Sequence, residues 1–443
     1  MHRLFVGLAA LTLALPAFAQ DPARMDTAVR ADADTGGFMG AVLVAKDGKV
    51  LLDKGYGSAN LEWQIANDGD TKFRLGSLTK QFTAVAILLL QERGKLRLDA
   101  PLKTYLPDAP AAWDGITVQQ LLNHTSGIPN FTDFPDYGAK KTRPATLTEL
   151  IGRFREKPLD FKPGEKWSYS NSGYILLTAI VEKASGQPYA AFVTENIFKP
   201  LGMADTGYDV HATILPRRAS GYTPSPKGLV NADYVDMSIP AGAGALYSTT
   251  HDLLKWQTGL FGGKLLSPAS LKAYMTPGKG DYGLGVAVTS KDGVTTVSHS
   301  GGIEGFNTWM GYDPAARIAV IVLGNLNGAT PSKLGASLLT LARGGAVTLP
   351  AERTSITLPP SALAAYAGVY EVTPQFAITV TARDGQLFAQ ATGQQAFPLF
   401  AEKADHFFLK VVDAQLVFTR DAGGAITGAT LIQNGQQIPA VRK

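Results

Sequence analysis

At 443 residues the chain is too long for one ordinary core, and two domains are expected. Hydrophobic residues at 45% and charged residues at 18% describe a soluble globular protein, and a net charge of +4 without runs of like charge argues against a nucleic-acid partner. With no cysteine, disulfides, thiolate metal sites and a cysteine nucleophile are all excluded.

The first element is leader-like. Arg3 precedes an apolar run over 4–15, and Ala17-Phe18-Ala19 is a small-x-small cleavage signature before Gln20. The run is too short to span hydrocarbon, which takes about twenty residues. The expectation is a signal peptide over 1–19 and export to the periplasm or medium. No later segment approaches membrane-spanning length, so no stable membrane insertion is expected.

Apolar runs on either side of Lys46-Asp47-Gly48-Lys49 predict a hairpin through an Asp-Gly turn. Apolar residues at helical spacing predict a helix over 78–93, capped by Gly94. The stretch 116–240 is rich in Gly, Pro, Asn and aromatics, with helices expected near 175–184 and 189–197. Strands are predicted over 282–288, 294–298, 308–312 and 317–323, then a helix over 333–343. This order implies an α+β domain over 20–347, with one antiparallel sheet built from both chain ends and helices against it. A proline-bearing linker is expected over 348–360. Short alternating segments beyond it, split by Asp384-Gly385, Gly423-Gly424 and Asn434-Gly435, predict a small all-β barrel or sandwich over 361–443.

Three clusters carry chemistry. Ser77-Leu78-Thr79-Lys80 opens the predicted helix, so the serine and the lysine one turn later can touch. That suits a nucleophile with a proton carrier, at a helix end whose free N–H groups favour an oxyanion. Its plainer reading is an N-cap serine beside a solvated lysine. In Tyr169-Ser170-Asn171, a phenol near a cationic lysine can have its pKa lowered and act as base, while the amide holds a substrate carbonyl or fixes the lysine. A loop tyrosine with a turn asparagine is the alternative. His299-Ser300-Gly301-Gly302 follows a predicted strand, and its glycines let a substrate backbone lie along the strand edge or simply make a turn.

Taken together, Ser-x-x-Lys opening a helix, Tyr-x-Asn about ninety residues on, and His-x-Gly after a late strand resemble the serine β-lactamase and penicillin-binding protein superfamily. Tyr-x-Asn makes the chain similar to the class C β-lactamase branch with its related esterases, D-alanyl carboxypeptidases and D-aminopeptidases. Leu121-Leu122-Asn123-His124-Thr125-Ser126-Gly127 also matches that branch, where it is mainly structural. Leu363-Ala364-Ala365-Tyr366-Ala367-Gly368-Val369-Tyr370 resembles the start of a lipocalin-like domain.

The resemblance implies acyl transfer to Ser77 from a small-molecule or peptide substrate, with Lys80 and Tyr169 moving protons. It further implies an oxyanion hole from the backbone N–H groups of Ser77 and Gly302, and substrate contacts from Asn171, His299 and Gly301. Histidine at 299, where strong β-lactamases carry lysine, implies weak β-lactamase activity at most, since neutral imidazole holds a carboxylate poorly. Competing chemistries lack their motifs. There is no Gly-x-Ser-x-Gly elbow, no His-Glu-x-x-His, and Gly263-Lys264 is followed by Leu265 rather than a phosphate-loop hydroxyl. No metal or cofactor is expected. The rival class is a penicillin-binding sensor or scaffold for cell-wall fragments that does not turn over.

Overall fold

The computed structural model describes residues 20–225, 227–433 and 436–443. The leader signature over 1–19 and the Asn434-Gly435 turn fall outside the described residues.

Helix α1 (Pro22–Ala33) starts at Asp21, whose carboxylate accepts from the Ala23 and Arg24 N–H groups. Strands β1 (Gly40–Lys46) and β2 (Lys49–Tyr56) form the expected hairpin, with Asp47 and Gly48 at φ 52° and 75°. Helix α2 (Thr79–Glu92) ends at Gly94, whose φ of 66° turns the chain so that the Lys95 N–H reaches the Leu90 carbonyl. The helix is buried on every side from Thr79 to Leu90, as befits its apolar composition. Helices α3 (Asn171–Ser185) and α4 (Thr250–Phe261) follow, and Trp256 of α4 packs on Phe82 of α2 with ring centroids 4.0 Å apart.

Four strands, β3 (Ala287–Lys291), β4 (Val294–Ile303), β5 (Phe306–Asp313) and β6 (Ile318–Gly324), and helix α5 (Thr330–Ala342) complete the domain. The strand expected over 282–288 is thus shorter than its sequence pattern. Gly283 and Gly285 bend this stretch, and a Cβ on Gly285 would stand 2.8 Å from the Lys80 carbonyl oxygen. The segment packs against α2 instead of joining the ladder. The helix expected over 189–197 is also interrupted: an α-helical Tyr189–Val193 passes into a π turn, Thr194–Phe198.

The sheet order is β3-β4-β5-β6-β1-β2, antiparallel throughout, with β1 paired to β6 from Gly40↔Gly324 to Lys46↔Ile318. Both faces are covered. Val42, Val44, Val320 and Val322 meet α1 and α5, while Leu43, Ile321 and Leu323 join the larger core with α2 and α4. This explains why β1 and β6 read as continuous apolar runs rather than alternating ones.

Eight strands from Gly368–Thr373 to Gln436–Arg442 close into a barrel whose core includes Tyr366, Tyr370, Phe407 and Phe418. The stretch expected as a linker carries its own contacts: Ile356 bridges to Ala401 of the barrel, and Glu352 pairs with Arg24 of α1.

Candidate active site

Ser77 sits in a 3-10 turn, Gly76–Leu78, that runs straight into α2. Gly76 has a φ of 54°, and a Cβ there would come 2.8 Å from the Gly302 nitrogen, so only glycine suits the position. Gly301 closes on the same turn from the strand side. Its Cβ would stand 2.0 Å from the Leu75 carbonyl oxygen and 2.2 Å from Thr308 Oγ1. These two approaches press the nucleophile turn against β4.

Lys80, one turn along α2, is fully buried. Its Nζ lies 3.0 Å from Ser77 Oγ, 2.8 Å from Asn171 Oδ1 and 2.9 Å from the Ala243 carbonyl oxygen. Burial drives its pKa well below the ordinary lysine value. Asn171 is itself held, its backbone N–H donating to Asn130 Oδ1 at 2.9 Å and its Nδ2 to Thr132 Oγ1 at 3.2 Å.

Tyr169 O–H donates to Ser77 Oγ at 2.7 Å. Burial raises its pKa well above the ordinary tyrosine value, and the hydrogen bond with Ser77 opposes this only in part. The expectation of a phenol acidified by a cationic lysine is therefore reversed, because burial outweighs any lowering influence at Tyr169. Lys80 Nζ faces three acceptors, Ser77 Oγ, Asn171 Oδ1 and the Ala243 oxygen, while Ser77 Oγ also accepts from Tyr169. Burial that favours the neutral amine therefore favours passage of the Ser77 proton to Lys80.

His299 is turned to other work. Its Nε2 accepts from Tyr282 O–H at 2.8 Å, and its Nδ1–H donates to the Ser300 carbonyl at 2.5 Å. Burial, with a smaller push from Lys80, lowers its pKa to about 4, so it is neutral at pH 7. His124 is buried behind Tyr169, ring centroids 4.4 Å apart, and its Nδ1 accepts the Ser170 N–H at 3.2 Å.

A cleft of about 380 Å³ opens over Ser77, lined also by Asn171, Gly302, Phe131, Tyr137 and Glu304. Ser77, Asn171 and Gly302 line it, and Lys80 and Tyr169 meet Ser77 without lining the cleft themselves. Gly301 faces the Leu75 carbonyl and His299 sits behind Tyr282; neither lines the cleft. Sequence reasoning did not single out the Ala243 carbonyl, Tyr282, Thr132 or Glu304 in this role. The one available signal was the run of small residues Ala241-Gly242-Ala243-Gly244-Ala245, which permits close backbone approach.

A family model described as Beta-lactamase matches residues 25–343, and one described as Domain of unknown function (DUF3471) matches 352–438. Penicillin-binding protein 4* of Bacillus subtilis (strain 168) is 31% identical over 434 residues, covering 91% of this chain and 95% of the relative. The octameric penicillin-binding protein homologue from Pyrococcus abyssi superposes with a TM-score of 0.68 at 27% identity, over 95% of this chain and 100% of that one. A D-stereospecific amidohydrolase from Streptomyces sp. superposes with a TM-score of 0.63 at 29% identity, over 72% of this chain and 98% of that one.

Proposed function

Because the chain belongs to the beta-lactamase family, we propose that it is an exported serine hydrolase in which Ser77 is acylated by an ester, an amide or a D-amino-acid peptide and then freed by water. One observation carries the reading: Lys80 Nζ and Tyr169 OH lie 3.0 Å and 2.7 Å from Ser77 Oγ beneath an open cleft. A binder has no need of a hydroxyl held between two proton carriers.

In this reading Lys80 takes the Ser77 proton as Oγ attacks the carbonyl. The Ser77 and Gly302 N–H groups hold the oxyanion, where each donor is worth roughly 3–4 kcal/mol. Tyr169, protonated at rest, passes a proton to the leaving group as the tetrahedral intermediate collapses. The resulting phenolate takes a proton from the water that attacks the acyl-enzyme, and Lys80 returns its proton to Ser77 Oγ as the acyl group leaves. The Streptomyces relative, named a D-stereospecific amidohydrolase, supports amides of D-amino acids among the substrates. His299, neutral with both ring nitrogens engaged, supports weak β-lactam turnover at most.

The test is labelling with a fluorophosphonate and a fluorescent penicillin, with turnover of nitrophenyl esters, D-amino-acid anilides and nitrocefin. Labelling lost in Ser77→Ala, with ester or anilide turnover in the parent, is the expected result. Stable labelling with no turnover of any substrate would overturn hydrolysis in favour of a sensor. Nitrocefin as the best substrate would overturn the preference. Export is tested by fractionating cells that express the full chain.

A further inference from the structure

The walls of the cleft carry an unbalanced charge. Among the described residues that line it, Glu304 is the only one with a formal charge. Lys80 is driven toward neutrality below it, and His299 is neutral. Glu304 Oε1 meets Lys141 Nζ at 2.9 Å, but the same ammonium is shared with Asp233 at 3.1 Å, so two carboxylates face one cation. Asp233 is 80% exposed and screened by solvent, whereas the Glu304 and Lys141 side chains are only 18% and 14% exposed.

The carboxylate is also held in place. Glu304 lies at the tip of the β4–β5 hairpin, two residues past the Gly302 amide. Asn327 pins that tip by accepting the Gly305 N–H at 2.8 Å and donating to the Ile303 carbonyl at 3.3 Å. Such a fixed charge in a partly desolvated cleft discriminates between ligands by sign.

We infer that Glu304 is a specificity-determining residue, selecting acyl groups that bear an ammonium and lack a carboxylate. The inference rests on the reading of Ser77 as the acylated group. It narrows the substrate class to aminoacyl amides and esters, with the cation on either the α-amino group or a side chain. A charge-assisted hydrogen bond of this kind is worth at least about tenfold in kcat/KM.

The experiment compares D-alanine nitroanilide with its N-acetyl and N-succinyl derivatives, and Nα-acetyl-D-lysine nitroanilide separates the two positions of the amine. Nitrophenyl acetate reports acylation itself. The free amine is expected to be preferred over N-acetyl, and N-acetyl over N-succinyl. Glu304→Gln should lower the ratio of amine to acetate turnover about tenfold or more, chiefly through KM, while Lys141→Met raises it by leaving Glu304 uncompensated. A parent that accepts the N-succinyl substrate as well as the free amine would overturn the inference. So would a ratio unmoved in Glu304→Gln, or equal losses in both variants, which mark a purely structural ion pair. If nitrophenyl acetate is not turned over either, the hydrolase reading fails first.

Discussion

Replacing Gly301 by alanine tests whether close packing of β4 on the nucleophile turn sets the chemistry. The new Cβ would stand 2.0 Å from the Leu75 carbonyl oxygen, a backbone atom that cannot rotate aside. Restoring an ordinary contact requires the two segments to part by about 1.4 Å. That separation also stretches the Thr308 Oγ1 to Leu75 carbonyl hydrogen bond from 2.8 Å to beyond bonding distance. Ser77 lies two residues after Leu75, so its Oγ shifts relative to both Lys80 and the Gly302 amide. A misplacement of about 1 Å is expected to slow acylation roughly 100-fold, while overpacking destabilises the domain by about 1–3 kcal/mol. Fluorophosphonate labelling rates and kcat/KM on a nitrophenyl ester measure the first effect, and thermal unfolding measures the second. Gly152→Ala, in open space at the end of the helix Leu147–Gly152, is the control and is expected to leave both unchanged. Parental rates and unfolding temperature in Gly301→Ala would refute the packing argument.

Three further outcomes are expected. With a neutral ester, kcat/KM falls as pH drops through the depressed pKa of Lys80 and stays level on the alkaline side, because Tyr169 is shifted upward; an alkaline limb at or below about pH 10 would contradict this. Asp209, 1% exposed, lies 2.8 Å from Arg74 and 2.5 Å from Arg218, so Asp209→Ala leaves both guanidinium groups uncompensated and costs about 3–5 kcal/mol by denaturant titration. A loss below about 1 kcal/mol would contradict it. His251 stands between Asp53 at 2.7 Å and Asp70 at 2.8 Å. Burial lowers its pKa, but hydrogen bonds and charge from the two carboxylates outweigh this and the net shift is upward. Its contribution is therefore complete below the unfolded value of about 6.5 and lost as pH rises through the folded value. The unfolding-temperature gap between parent and His251→Gln is expected to narrow from pH 6 to pH 9, and a constant gap would refute the assignment.

Local chemistry made much of the fold legible. Asp47-Gly48 announced its hairpin because both residues accept positive φ, and Gly94 marked the end of α2 for the same reason. The closing strands were readable from their apolar runs, but 282–286 was not, because glycine packing against α2 leaves no period in the sequence. At the site, Ser77, Lys80 and Tyr169 are singled out by motif, and the structure adds their distances. The direction of the Tyr169 shift depends on how deeply its pocket is buried, which no tripeptide encodes. The Ala243 carbonyl is a backbone atom, and Gly301's role lies in a contact with Leu75 from a distant part of the chain. Both are properties of packing and have no signature of their own in the sequence.

The central pairing of β1 with β6 has a consequence for how the protein is made. Gly40 must wait for Gly324, so the hairpin leaves the ribosome roughly 280 residues before its ladder partner exists. Through that interval a row of apolar side chains and unsatisfied amides stays open to other chains. The central ladder therefore closes only once both ends of the domain are present, and the edge of the first hairpin is the part most exposed to mispairing until then.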